Sequence, residues 1–151
     1  MFRTIALAAA ILVTTACSTT STMRQAPRLQ PQQTFAYAFS NQGGDDDEGI
    51  ARLDGIIQAH LREAGLIHAG EGNPRIEVVV KHYYVRSNGA RFSVGIMAGR
   101  DKIVSNVRVL GADGAQIGDF DVETFNSTAF GTTEGLMKKH ASELVSKLKS
   151  A

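Results

Sequence analysis

The chain has 151 residues, 43% of them hydrophobic and 21% charged, which bounds it to roughly one domain. Its 16 Lys and Arg against 15 Asp and Glu give no electrostatic excess, so a strongly basic nucleic-acid binder is excluded. A single cysteine, Cys17, excludes an intramolecular disulfide and a Cys-rich zinc site, and makes the position of that thiol informative.

The first sixteen residues, MFRTIALAAAILVTTA, carry one basic residue, Arg3, then an apolar run from Ile5 to Val13, then small residues. This is the layout of a signal peptide spanning 1–16. The run is shorter than the roughly 20 apolar residues a permanent membrane helix needs. Val13-Thr14-Thr15-Ala16-Cys17 resembles the lipobox of bacterial lipoproteins. That resemblance implies cleavage between Ala16 and Cys17, with acylation of the cysteine. Thr14 stands where leucine is commonest. Several acyl chains, at about 0.8 kcal/mol per buried methylene, would make such an anchor effectively permanent. Ser18 follows the cysteine, where aspartate favours retention in the inner membrane, so the resemblance implies the periplasmic face of the outer membrane. Cleavage discards Arg3, which accounts for the surplus positive charge. The neutral remainder gives no reason for charge-driven docking on lipid.

Residues 18–33, STTSTMRQAPRLQPQQ, are Ser/Thr-rich and then Gln/Pro-rich. With Cys17 they read as an acylated N-terminus and flexible tether over 17–33, with a reach of about 50 Å when extended. A single periplasmic domain is expected over 34–151. It opens with TFAYAFS, where Phe35, Tyr37 and Phe39 alternate with smaller residues as in a strand with one buried face. Ile50, Leu53, Ile57, Leu61 and Ala64 then recur at helical spacing, behind the acidic run Asp45-Asp46-Asp47-Glu48 and ahead of Gly65, a left-handed cap followed by Leu66.

Four strands follow in the reading of the middle of the chain: 75–86, 90–97, 102–110 and 116–125. In the first, alternation groups Ile76, Val78, Val80 and Tyr84 on one face. Asp113-Gly114 signals a two-residue type I′ hairpin. Ala112 opposite Ala115 predicts Arg108 opposite Asp119, Val107 opposite Phe120, and Ser105 opposite Val122. Ile103, Val107, Val109, Phe120 and Val122 then share one face, and Asn106 and Arg108 meet Asp121 and Asp119 on the other. Thr132 is the expected N-cap of a last helix whose stripe is Leu136, His140, Leu144 and Leu148 with Met137, Ala141 and Val145. The expected fold is α+β, a two-layer sandwich of about five mostly antiparallel strands with two helices on one face, in the order β-α-β-β-β-β-α.

No catalytic constellation emerges, and the chain reads as a non-enzyme without cofactor or metal. His60, His68, His82 and His140 include no pair at the i, i+4 spacing of a helical zinc site. A calcium loop starting at Asp45 would need glycine at its sixth position and an acid at its twelfth, where Ile50 and Ile56 stand. The acids serve the helix dipole instead. Alternation places Tyr83 with Val79 and Val85 on a strand face, which reads equally as a partner surface or as a strip covered by a loop or second subunit.

The segments HLREAGL, RIEVVV, FSVGIMAGRDKIVSNVRVLGADGAQIGDFDVET and FGTTEGLMKKHASELVSKL resemble a family of small bacterial lipoproteins, the domain of unknown function 4410 family, over most of 34–149. These are patterns of fold rather than chemistry, and they carry no catalytic residue. The layout is similar to periplasmic domains of envelope-assembly lipoproteins, without the segments a secretion channel needs for membrane-spanning strands. The expected function is therefore a lipid-anchored outer-membrane protein that binds another envelope component. A module for a small apolar or lipid ligand, held between the first helix and the sheet, is the second expectation, and a hydrolase the last.

Overall fold

The computed structural model describes residues 17–86, 100–126 and 131–150. The expected signal peptide and the strand expected over 90–97 lie outside them. The elements are β1 (Cys17–Gln25), β2 (Ala36–Asn41), α1 (Asp47–Glu63), β3 (Arg75–Tyr84), β4 (Lys102–Leu110), β5 (Gln116–Asn126) and α2 (Thr133–Lys149). They form one five-stranded sheet in the order β1-β5-β4-β3-β2, antiparallel except for the β2–β3 pair. The α+β class and the two helices agree with expectation; the order is β-β-α-β-β-β-α. Because β2 and β3 are parallel, the chain must cross over between them, and α1 is that crossover.

The first part of the expected tether is an edge strand. Cys17 to Gln25 pair along β5 from Asn126 to Asp119. Its Ser and Thr residues hide it from a search for apolar alternation. Backbone pairing with β5 runs along it, and its threonines suit a pleated surface.

Both helices are built as their sequence signals require. Asp46 caps α1 by accepting from Gly49 N at 3.0 Å. At the other end Gly65, at φ 70°, donates to Arg62 O and Leu66 donates to Leu61 O, each at 2.9 Å, closing a Schellman motif. Thr132 caps α2 through Gly135 N. Leu53, Ile57 and Leu61 of α1 and Leu136, Met137 and Leu144 of α2 are fully buried against Ile76, Ile103, Val107, Phe120 and Val122 of the sheet. Burial of each such side chain contributes about 1.5–3 kcal/mol.

The hairpin keeps its expected register along the strands, with Arg108 opposite Asp119, Val107 opposite Phe120, and Ser105 opposite Val122. Its turn differs. Gly111 N donates to Ala115 O at 2.8 Å, so the loop is three residues, and of these only Gly114 has a positive φ, 79°. A type I′ turn would need two such residues. The extra loop residue is offset by an irregularity beside Ile117, where Leu110 pairs with Gln116 but Val109 pairs with Gly118.

Candidate functional site

Backbone register places Cys17, the expected anchor, at the very start of β1, opposite Asn126 at the end of β5. Asn126 N in turn donates to Asp101 O at 3.0 Å. At this end of the sheet, on the face without helices, the register aligns Tyr84, Lys102, Phe125 and Ser18 in one row across four strands. Tyr84 is 48% exposed. The Arg100 guanidinium stands 5.7 Å from the centre of the Phe125 ring, a cation–π contact. Lys102 pairs with Glu123 at 3.0 Å. Behind the row, Arg86 donates from both its backbone N and its Nε to Asp101 Oδ1, each at 3.0 Å.

The expected surface of Tyr83, Val79 and Val85 is not assembled. A bulge between Val80 and His82 shifts the phase of β3 by one residue. Tyr83, not Tyr84, therefore joins Ile76, Val78 and Val80 in the core at 7% exposure. Val79 is buried on the opposite face, and Val85 packs partly buried at the core's margin. Tyr84 is the exposed aromatic that the alternation had placed inside.

Elsewhere on the helix-free face, among the described residues, charged side chains pair with one another beside neutral ones such as Thr20, Thr22 and Val104. Arg24 forks onto Asp119, with Nε to Oδ2 at 2.9 Å and Nη2 to Oδ1 at 2.7 Å, and also holds both carboxylate oxygens of Asp121. Asn106 Nδ2 donates to the same two aspartates, at 2.8 and 3.1 Å. The Arg24 hydrogen bonds hold both carboxyls below the usual range and push the guanidinium up. Glu77 accepts from Arg75 at 2.5 Å and from Arg108 at 2.8 Å. These pairs tie β1 to β5 and β3 to β4, and leave no concentrated field of one sign to capture an ion.

His140 is fully buried in α2. Its Nδ1 lies 3.0 Å from Thr124 Oγ1 and its Nε2 lies 2.9 Å from Ser105 Oγ, both on the core face of the sheet. Burial pushes the imidazole down to about 3, so it is neutral. The three side chains are each 0% exposed and offer no surface to a substrate. His60 is half-buried, and His68 and His82 are exposed. Among the described residues no group of three His, Cys, Asp or Glu could hold a metal. No helix of the described residues is long and apolar enough to cross a membrane.

An open cleft of about 300 Å³ lies between the helix N-termini, lined by Asp46, Glu48, Arg52, Tyr83, Arg86 and Met137 among others. Its charges are already engaged: Asp46 caps α1, Glu48 pairs with Arg52 at 3.1 Å, and Arg86 with Asp101. Burial, then the Asp46 carboxylate, push the Tyr83 hydroxyl up to about 12. Sequence reasoning missed the Arg24 fork and the row at the Cys17 end. The hairpin register carried a signal for the first, since it put Asp119 and Asp121 side by side with no cation assigned to the second.

No family model matches the chain, and no curated protein sequence matches it. Its fold is similar to solved structures of PelC from Paraburkholderia phytofirmans. A PelC point variant, a dodecamer, aligns at TM-score 0.58 and 13% identity, covering 87% of this chain and 97% of that one. A second PelC dodecamer aligns at TM-score 0.56 and 10% identity with the same coverage.

Proposed function

We propose that this protein is a non-catalytic lipoprotein of the outer membrane, held at the periplasmic face by acylated Cys17, and that its domain builds envelope assemblies by binding protein chains, copies of itself included. The observation that carries the reading is the Val13-Thr14-Thr15-Ala16-Cys17 motif, whose cysteine lies in β1. Assembly is supported by the sheet's two outer strands. β2, AYAFSN, has no charged residue, and β1 has only Arg24, which is drawn onto Asp119 and Asp121. Neither strand contains the lysines or prolines with which edge strands usually repel a neighbour. The fold shared with PelC dodecamers supports self-association as one form of that binding.

Anchorage restricts the symmetry of such an assembly. Copies anchored in one leaflet must be related by rotation about the membrane normal, which is cyclic symmetry, with head-to-tail contacts in any ring larger than a dimer. Dihedral symmetry would turn half the anchors away from the bilayer. Cell fractionation tests the anchor: the native chain is expected with the outer membrane, and Cys17→Ser is expected to be lost from it. Recovery of Cys17→Ser in the outer membrane at the native level would overturn it. Native mass spectrometry of the detergent-extracted protein tests assembly, with a closed oligomer expected and a bare monomer opposing it.

A further inference from the structure

We infer that the Cys17 end of the sheet is a membrane-contact surface, on which Tyr84, Arg100, Lys102 and Phe125 rest against the lipid headgroups. The inference rests on the anchor reading and adds an orientation to it. Because β1 begins at Cys17, no spacer separates an acylated cysteine from the folded sheet. The domain therefore cannot swing on its anchor as it would on a free tether, and whatever shares the level of Cys17 is carried to the bilayer surface.

The residues at that level suit it. Tyr84 and Met23 are the exposed large hydrophobic side chains among the described residues, and Tyr84 lies in the row that begins beside Cys17. Tyrosine combines an apolar ring with a polar tip, as at membrane–water interfaces. The Arg100 guanidinium over the Phe125 ring, with Lys102 beside it in its pair with Glu123, sets cationic groups next to apolar ones, the combination that suits a headgroup region. The opposite end of the sheet is the Gly111–Ala115 turn, a strand length or about 30 Å away. Its exposed residues, Ala112, Asp113 and Ala115, offer nothing comparable. A second copy of the chain is the rival occupant of the row.

The chain has no tryptophan, so one introduced indole reports alone. The acylated protein carrying Tyr84→Trp, or Ala112→Trp at the far turn, is reconstituted into vesicles of phosphatidylethanolamine and phosphatidylglycerol with bromine near the headgroup end of the acyl chains. Both positions are exposed, and circular dichroism checks each fold. Tyr84→Trp is expected to lose a large part of its emission to the bromines and Ala112→Trp to keep its own. Equal quenching at both positions, quenching at neither, or protection of Tyr84→Trp that appears equally in detergent without lipid overturns the orientation. Intact mass separates this from failure of the anchor. Absence of the acyl mass on Cys17 overturns both readings, whereas its presence with unequal quenching in the expected sense supports both.

Discussion

The buried imidazole of His140 makes stability depend on pH in a range where few other groups titrate. In the folded chain it takes up a proton only near pH 3, whereas in the unfolded chain it does so near 6.5. Between those values the unfolded state binds the extra proton, so stability is complete above about pH 7 and falls as the pH drops. At about pH 5 the unfolded chain gains about 1.5 pK units of proton binding, which removes about 2 kcal/mol. The Asp119 and Asp121 carboxyls, held low by Arg24, lose their stabilisation only as the pH falls below the ordinary value of 3.8, outside this window. Urea unfolding is the assay. With a slope of about 2 kcal/mol per molar, the midpoint should fall by about 1 M between pH 7.5 and pH 5. His140→Gln keeps groups that can meet Ser105 and Thr124. It should lower stability at neutral pH by about 1–3 kcal/mol and flatten the dependence. Parallel curves for the two proteins across that range would refute the assignment.

Three further outcomes are expected. Arg24→Ala removes the fork on Asp119 and Asp121; with the side chain 45% exposed the loss should be only about 0.5–1 kcal/mol, yet amide exchange in β1 should accelerate, and unchanged exchange there would oppose the role given to it. Gly118→Val places a Cβ 2.9 Å from Pro27 Cα and 3.0 Å from its Cβ, so the segment after β1 must move, at about 1–3 kcal/mol read as a lower Tm; an unaltered Tm would show that the contact yields freely. Tyr37→Phe deletes the 2.7 Å hydrogen bond to Asp54 Oδ1 and should cost about 1 kcal/mol by chemical denaturation, an unchanged midpoint counting against any net value for that bond.

The helices and the hairpin were legible because each was specified twice. The α1 stripe agreed with the acidic run at its start and the Gly65 stop, and the β4–β5 register was fixed by both turn position and face pattern. The Asp113-Gly114 turn was misread in type, but the irregularity beside Ile117 returned the strands to the expected pairing. β1 escaped because its stabilisation is not apolar, and residue pattern alone cannot separate a Ser/Thr strand from a Ser/Thr linker. Tyr83 was misplaced for another reason. Alternation assumes a constant phase, and the consecutive exposed residues Lys81 and His82 mark where β3 slips by one. That pair was the available signal. The row of Tyr84, Lys102 and Phe125 lay beyond reach because it is assembled from three strands after the slip.

The position of β1 at the sheet's edge also sets an order of events. A chain exported from its N-terminus presents β1 first, yet its partner on β5 lies far downstream, with Arg24 and Asp121 97 residues apart. Contacts of such separation form late, after local pairings such as the β4–β5 hairpin. On the export proposed above, the first part of the mature chain to cross the membrane would be the last to pair. Enzymes that would cleave before Cys17 and acylate it would meet an open strand, and processing would precede the pairing that draws Cys17 into the sheet.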